Sequence, residues 1–416
     1  MAEATPLRML DFEPSEIPLE DFDISQRELW AENKKWDYFT YLRDHAPVHY
    51  CKEGEEEIGP YWSVTRYADI MEVENNWDVF SSDPAITIID PDEDFELPMF
   101  IAMDPPKHDD QRKTVQGVVA PQNLKELEGT IRSRVQTILD SLPVGETFDW
   151  VDTVSIELTT QMLATLFDFP FEDRRKLTRW SDVATGGPET GVVETEEQRR
   201  EELYECLAYF QRLWAEREDT AGGNDLISML AHGEATKNMD PQEFLGNLVL
   251  LIVGGNDTTR NSISGGVLAL NENPGEYAKL RNNPAVIPNM VSEIIRWVTP
   301  LAHMRRTALS DYELNGQTIK AGDKVVMWYV SGNRDERSID RPNEFIIDRP
   351  RARQHLSFGF GIHRCMGNRL AEMQLRILWE EIQKRFHFVE VVGEPQRVPS
   401  NFVHGFTELP VRLHPL

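Results

Sequence analysis

Apolar side chains recur every three or four positions over long stretches of this chain, the period of an amphipathic helix. After Pro121 this spacing continues to Pro143 through the residues Leu124, Leu127, Ile131, Val135, Ile138 and Leu142. The same spacing predicts helices over 203–214 and 370–382, and a long apolar helix from about 241 to 271. Most of the chain is therefore expected to be helical.

Strand patterns are fewer and shorter. The segment 312–319 predicts a hairpin around Asn315-Gly316, and 325–329 predicts a buried strand after a turn at 321–322. Because no internal repeat or long linker divides the sequence, we predict one mainly helical domain with small β-sheets over residues 1–416.

Composition narrows the class of function. The chain has 416 residues, and 40% of them are hydrophobic, which is enough for a sizeable core. With 43 Lys and Arg against 71 Asp and Glu, the net charge of −28 argues against nucleic acid or an anionic membrane as partner. The acidic clusters at 53–57 and 90–96 are predicted to be solvated loops.

The sequence also predicts a cytoplasmic protein. Residues 1–20 lack the apolar segment of a signal peptide or an anchor, and the most apolar run, 248–253, is too short to span a bilayer. Three scattered cysteines are too few for a disulfide framework and fit a reducing compartment.

One cysteine stands apart from the other two. Residues 358–367 read Phe-Gly-Phe-Gly-Ile-His-Arg-Cys-Met-Gly and precede the helix predicted over 370–382. The three glycines suit a tight loop, and a helix N-terminus beside cationic side chains favours a thiolate at Cys365. The usual role of a lone cysteine, an inert buried side chain, is assigned to Cys51 and Cys206 instead.

The pattern Phe-Gly-x-Gly-x-His-x-Cys-x-Gly resembles the haem-binding loop of the cytochrome P450 haem-thiolate monooxygenases, whose axial iron ligand is a Cys thiolate. The resemblance implies the cytochrome P450 fold, with haem b (iron protoporphyrin IX) between the long central helix and the Cys-loop helix. It implies Cys365 as the iron ligand, and further cofactor contacts from Phe358, His363 and Gly367.

Two adjacent glycines, Gly254 and Gly255, interrupt the central helix just before Asp257 and Thr258. Since a glycine inside a helix costs about 1 kcal/mol relative to alanine, a specific reason is expected. The residues alone leave two reasons equally open, a kink or close packing of helices and the approach of a flat cofactor with a diatomic molecule. By resemblance the segment covers the distal haem face, with Thr258 as the oxygen-binding alcohol and Asp257 as its acidic partner.

A structural ion pair is also expected. Glu293 and Arg296 are three positions apart and so share one helix face. The resemblance implies that they form a buried pair tying this helix to the segment before the Cys loop. In that segment Glu344 occupies a position where the family often has arginine, so Arg349 or a backbone carbonyl is the candidate third partner.

His108 and Arg112 lie four positions apart after Pro106, and taken alone they fit a solvated helix start. The resemblance implies instead that they bind the haem propionates, together with Arg306 and His363.

Three long runs, 99–108, 251–262 and 361–372, resemble the bacterial terminal alkane and fatty-acid hydroxylases. The resemblance implies that one atom of O2 enters the terminal C–H bond of a medium-chain linear alkane or fatty acid, giving a primary alcohol. By family position, the walls of the substrate channel are Ile86, Val253, Leu301, Met304, Phe402 and Phe406, although each of these apolar residues fits a plain core equally well.

Electrons are expected from outside the chain, from a ferredoxin and a ferredoxin reductase, because no flavin or nicotinamide fingerprint occurs in the sequence. A basic cluster is predicted to dock an acidic ferredoxin, with an ordinary solvated surface as the alternative; its members are Arg112, Lys113, Arg364, Arg369 and Arg376. Two alternative functions stay open, a terpenoid or steroid monooxygenase and a non-catalytic haem sensor, in which Asp257 and Thr258 would have no task.

Overall fold

A computed structural model describes residues 7–52, 54 and 58–416, so most of the acidic loop predicted at 53–57 lies outside the described residues. The α-helices of the described part are α1 Arg27–Ala31, α2 Lys35–His45, α3 Tyr67–Asn75, α4 Lys107–Val115, α5 Pro121–Asp140, α6 Glu157–Phe167, α7 Arg175–Thr185, α8 Glu196–Ala215, α9 Leu226–His232, α10 Pro241–Glu272, α11 Pro274–Asn282, α12 Ile287–Val298, α13 Tyr329–Gly332 and α14 Asn368–Arg385. The strands are β1 Val48–Cys51, β2 Tyr61–Val64, β3 Phe80–Ser81, β4 Thr147–Asp149, β5 Met304–Ala308, β6 Tyr312–Leu314, β7 Gln317–Ile319, β8 Lys324–Met327, β9 Phe386–Val391, β10 Gln396–Arg397, β11 Phe406–Glu408 and β12 Pro410–Pro415.

The long helix α10 is the centre of the helical part and packs against α6, α7, α8, α12 and α14. Its start is fixed by local chemistry, since Pro241 is the first helical residue and the Asp240 carboxylate accepts hydrogen bonds from the N–H groups of Gln242 and Glu243. Most of its side chains are buried, which matches the near-continuous apolar sequence. α10 thus carries Gly254–Thr258 between two stretches of the main hydrophobic core, which contain Ile252 and Ile263.

Within the described residues, the strands form four small sheets. The largest has the order β1-β2-β8-β5-β3, in which β2 and β8 are parallel and the other pairs are antiparallel. A second sheet has the order β4-β12-β9, and the pairs β6-β7 and β10-β11 complete the set. This arrangement, with helices predominating, confirms the predicted fold class of a mainly helical protein with small sheets.

The local predictions agree closely with the structure, with one shortened strand. The helices α5, α8 and α14 and the hairpin β6-β7 all occur where the patterns place them. The strand predicted over 325–329 ends at Met327, because its neighbour β2 ends at Val64, the pairing partner of Met327. The chain then turns into the short helix α13.

Candidate active site

A cavity of about 1190 Å³ lies between α10 and the loop that precedes α14. It brings together most of the residues predicted for the site, which are Ile86, Arg112, Val253, Thr258, Leu301, Met304, Arg306, Phe358, His363, Cys365, Gly367 and Phe402. These residues come from segments spread over more than three hundred positions of the chain, and the fold gathers them around one cavity.

The loop carrying Cys365 has the tight backbone that its glycines predict. Gly359 and Gly361 adopt φ of 65° and 67°, which side chains rarely tolerate. A Cβ at Gly361 would lie 2.6 Å from the carbonyl oxygen of Glu74, so the loop backbone rests directly on the end of α3. The Cys365 N–H donates to the Phe358 carbonyl at 2.8 Å, which closes the loop and leaves the thiol exposed on the cavity wall.

The thiol of Cys365 is subject to opposing influences. Because the thiol faces an interior cavity and not the outer surface, burial raises its pKa, whereas the N–H groups of Gly367 and Asn368 and the charges of Arg112 and Arg364 act to lower it. The predicted stabilising groups are therefore present, but in the protein alone desolvation outweighs them. Coordination to a metal cation would supply the remaining stabilisation, because a coordinating thiol loses its proton.

The two adjacent glycines of α10 serve different purposes. A Cβ at Gly255 would lie 2.7 Å from Leu163 on α6, so this glycine allows close helix packing. A Cβ at Gly254 would meet no atom within 4 Å, and Gly254 is exposed on the cavity wall. Close helix packing thus accounts for Gly255, whereas Gly254 leaves open space on the cavity wall, where the approach of a flat cofactor stays a prediction. The Thr258 hydroxyl donates to the Gly254 carbonyl at 3.2 Å on the same wall.

Asp257 faces away from Thr258, toward α7. Its carboxylate is fully buried and accepts hydrogen bonds from Ser181 Oγ at 2.9 Å and Thr185 Oγ1 at 3.4 Å. The Arg260 guanidinium lies 3.2 Å away and bonds at 2.6 Å to Asp182. Burial raises the pKa of Asp257, Arg260 opposes this rise, and Asp182 adds to it. Asp257 is itself absent from the cavity wall, which Thr185 does line.

One end of the cavity carries donors suited to carboxylates. Arg112 and Arg306 line it together with His363, whose ring packs 4.3 Å from that of His108. Within the described part of the chain, His108 Nε2 and His363 Nδ1 are buried and find no hydrogen-bond partner. Burial lowers the pKa of His108, and burial with the charges of Arg306 and Arg112 lowers the pKa of His363 to about 2, which favours the neutral form of both rings. Such a donor set fits two propionate groups.

The pair Glu293 and Arg296 is fully buried and bidentate, with both N···O distances at 2.8 Å. Arg349 completes the network, since its Nε donates to Glu293 at 2.9 Å. Arg296 also donates to the carbonyls of Asn333, Pro342 and Glu344. Both candidate substitutes for the expected arginine, Arg349 and backbone carbonyls, are therefore in use.

Two expectations need correction. Phe406 does not line the cavity; it packs in the main core under Arg397. The sequence could not show this, because an apolar side chain suits a cavity wall and a core equally well. Arg376 is half-buried and holds Glu128 and Glu380 at 2.9 and 2.8 Å, so its charge is already compensated. It therefore adds less positive charge to a docking surface than an unpaired arginine would.

Cys365 is suited to a metal whose other ligands are not protein side chains. Among the described residues, no group of three or more His, Cys, Asp and Glu side chains is placed to hold a metal ion. A single sulfur on an apolar-walled cavity, opposite a bare glycine and beside a carboxylate-binding end, fits an iron porphyrin.

Several site residues were not found from the sequence. Ser181, Thr185 and Arg260 contact Asp257, and Ser82 Oγ lies 2.8 Å from His363 Nε2. Glu74 bonds to Arg306 across more than two hundred positions. Only Arg260 could have been suspected, because it lies three positions after Asp257 on the same helix.

A family model, related proteins and solved structures all indicate the same family. The family model described as Cytochrome P450 matches residues 141–413. Linalool 8-monooxygenase from Pseudomonas putida is 34% identical over 407 residues, which cover 94% of this chain and 99% of that protein. Methyl-branched lipid omega-hydroxylase from Mycobacterium tuberculosis is 31% identical over 412 residues, covering 96% of each chain.

Among solved structures, Cytochrome P450-153 from Novosphingobium aromaticivorans superimposes with a TM-score of 0.88 at 50% identity. The match covers 94% of this chain and 99% of that one. Separately, no helix in the described residues is both long and apolar enough to cross a bilayer.

Proposed function

The chain belongs to the cytochrome P450 family, whose cofactor is haem b, and we propose that it hydroxylates the terminal carbon of medium-chain linear alkanes or fatty acids. The products are primary alcohols. The observation that carries the proposal is that five of the six predicted wall residues line the cavity shared by Cys365 and Thr258. The relative named as a methyl-branched lipid omega-hydroxylase supports attack at a chain end. The 50% identical structure supports placing this chain in the same subgroup of the family as that protein.

The chain's own residues hold the cofactor. Cys365 supplies the sulfur ligand, while Phe358 and Gly367 flank it on the cavity wall. Arg112, Arg306, His108 and His363 would bind the propionates. When bound, haem supplies the activation of O2 and the transfer of one oxygen atom to a C–H bond.

Asp257 and Thr258 have different roles in proton transfer. Thr258 presents its hydroxyl to the cavity, whereas Asp257 holds a proton or releases it behind the wall. Thr185 connects the two spaces, because its hydroxyl is 3.4 Å from Asp257 Oδ2 and it lines the cavity itself. Through Arg260, Asp257 reaches Asp182, whose side chain is one-third exposed to solvent. Because a guanidinium keeps its protons, Arg260 holds the two carboxylates in place, and a proton passes between Asp257 and the cavity by way of the Thr185 hydroxyl.

The substrate proposal is tested by product analysis. Octane and a medium-chain fatty acid are each supplied with a ferredoxin, its reductase and NAD(P)H, and the alcohols are identified by position. We expect mainly the primary alcohol, because the wall side chains admit a linear chain end first. A mixture dominated by subterminal alcohols would contradict the proposal.

A matched pair of variants tests whether the cavity wall determines which carbon is hydroxylated. Val253→Phe places a larger side chain on the cavity wall and should lower octane turnover and shorten the preferred chain. Phe406→Leu changes a core residue that does not line the cavity and should lower stability without changing the product pattern. Equal effects on the product pattern would show that the wall assignment is wrong.

A second candidate is favoured by one observation, the similarity to the linalool 8-monooxygenase. A branched terpenoid alcohol would need a wider space than a linear chain, and the cavity is large enough to consider one. Titration of the ferric protein with octane, a fatty acid and linalool decides between them. Only the preferred substrate class should shift the ferric spectrum to the high-spin form at low concentration.

A further inference from the structure

Glu74 is a buried carboxylate that the proposed chemistry leaves unused. It lies near the end of α3, and only 2% of its side chain is exposed. Its Oε2 accepts a hydrogen bond from Arg306 Nη2 at 2.8 Å, and its Oε1 accepts one from the Tyr329 hydroxyl. The N–H of Phe360 points to the same Oε1 from 3.5 Å. One carboxylate thus joins α3 to β5, to α13 and to the Cys loop.

The backbone fixes this carboxylate relative to the Cys loop. Besides the close approach of Gly361 to the Glu74 carbonyl, a Cβ at Gly359 would lie 3.4 Å from Glu74 Oε1. Both loop glycines therefore pack against the same residue. Burial, and then Glu74 itself, raise the pKa of Tyr329 well above its ordinary value, so its hydroxyl keeps the proton that it donates.

The charge arrangement around Arg306 is unusual. Its side chain is 3% exposed and lines the cavity end that fits carboxylates, while Nη1 donates to the Arg305 carbonyl at 2.8 Å. A bound propionate would place Arg306 between two carboxylates. Glu74 then both orients the guanidinium and neutralises part of its charge in a low-dielectric region, where each charge acts strongly.

We propose that Glu74 is a positioning residue that holds Arg306 toward the haem propionates and lowers the reduction potential of the haem. The cause is electrostatic: reduction adds negative charge at the iron, and a nearby buried carboxylate disfavours that addition. The inference rests on the proposed role of Arg306 and is independent of which substrate the enzyme takes.

The test is a redox titration of the haem-loaded protein and its variants. Glu74→Gln keeps the shape and removes the charge, so its midpoint potential should rise. Tyr329→Phe removes a donor that offsets the carboxylate, so its potential should fall. Glu74→Asp keeps the charge on a shorter side chain, and its potential should stay closer to the wild type than that of Glu74→Gln.

The potential is expected to rise in Glu74→Gln and to fall in Tyr329→Phe, and these opposite shifts distinguish a charge effect from general damage to the site. An unchanged or lower potential in Glu74→Gln, with an intact CO-bound spectrum of the reduced protein, would overturn the proposal. So would a rise in Glu74→Asp equal to that in Glu74→Gln. If Glu74→Gln does not retain haem, Tyr329→Phe decides alone, since a fall supports the proposal and any other result refutes it. None of these results alters the product analysis that tests the substrate.

Discussion

Cys365 is distinguished by its surroundings rather than by its sulfur. Cys206 is completely buried on α8, where burial raises its pKa well above the ordinary value, whereas Cys365 opens onto the cavity between two cations. We expect Cys365→Ser to abolish the thiolate spectrum of the reduced CO complex. Cys206→Ala should keep that spectrum and cost only about 1 kcal/mol of stability through the lost side-chain volume. If Cys365→Ser still showed a thiolate spectrum, Cys365 would not be the iron ligand.

Asp257 and Thr258 are neighbours in sequence but differ in exposure, so their variants should fail differently. Thr258→Ala removes a hydroxyl from the cavity wall, and we expect NAD(P)H consumption to continue while much of the oxygen leaves as peroxide. Asp257→Asn keeps the hydrogen bonds from Ser181 but cannot carry a proton. Turnover should then fall about 100-fold, within the usual range for loss of proton transfer. The solvent isotope effect on turnover should rise in Asp257→Asn.

The control for this pair is Ser262→Ala, which removes another hydroxyl of α10 on the same cavity wall, one that bonds only to the Thr258 carbonyl among the described contacts. Its peroxide yield should stay near the wild-type value. A non-catalytic sensor would show little change in any of the three variants.

Between elements, the network around Glu293 connects α12 to the segment that leads into the Cys loop. Arg349 bonds to Glu293 and to carbonyls of that segment, and it is 5% exposed. Arg349→Ala leaves a buried carboxylate short of one partner, so we expect a loss of about 3 kcal/mol. Arg353→Ala breaks a pair to Glu372 whose arginine is mostly exposed, and should cost less than 1 kcal/mol. Thermal unfolding compares the two at equal haem loading.

Glu381 ties α14 to α5 in the same way, and its charge makes the contact pH-dependent. Burial alone would raise the pKa of Glu381, but hydrogen bonds from Lys384, Arg132 and Arg385 hold it at about 2, below the ordinary 4.5. A depressed pKa means that this stability is complete above about pH 4.5 and is lost as the pH falls toward 2. Glu381→Gln should therefore cost about 2 kcal/mol at neutral pH, and this difference should shrink as the pH falls.

Urea midpoints measured from pH 7 to pH 3 test this dependence. The exposed Glu234, which pairs only with Lys237 among the described residues, gives the control, because Glu234→Gln should leave the midpoint unchanged. A difference between wild type and Glu381→Gln that stays constant with pH would assign the effect to packing instead of charge.

The elements differ in how far local sequence determines them. Helices α5, α10 and α14 follow from apolar spacing and from prolines, because these rules act within one or two turns. The five-stranded sheet does not, since it pairs β2 with β8 across more than 250 positions. The site residues also differ in how far local sequence determines their positions. The Cys loop is local and was predictable, whereas Glu74 and Thr185 reach the site only through tertiary packing. Phe406 was misplaced because the sequence does not distinguish a wall from a core.

Over the whole molecule, the net charge of −28 makes any exposed cation cluster conspicuous. Near the Cys loop, Arg364, Arg369 and Lys113 are exposed, and in the part of the chain that the structure describes their side chains find no carboxylate partner. Arg376 differs, because Glu128 and Glu380 hold it. The docking surface proposed for an acidic ferredoxin therefore consists of Arg364, Arg369 and Lys113.

Charge reversal at Arg369 should slow reduction of the haem by a reduced acidic ferredoxin about tenfold at low ionic strength, because steering by opposite charges accelerates association. Stopped-flow reduction of the substrate-bound protein measures this rate. Salt screens exposed charges beyond roughly 8 Å at physiological ionic strength, so the difference should narrow as salt is added. Lys176→Glu makes the same change of net charge on α7, among residues remote in sequence from the Cys loop, and should leave the rate near the wild-type value. Equal slowing by both variants would show that overall charge governs the rate, and no slowing by Arg369→Glu would place the docking surface elsewhere.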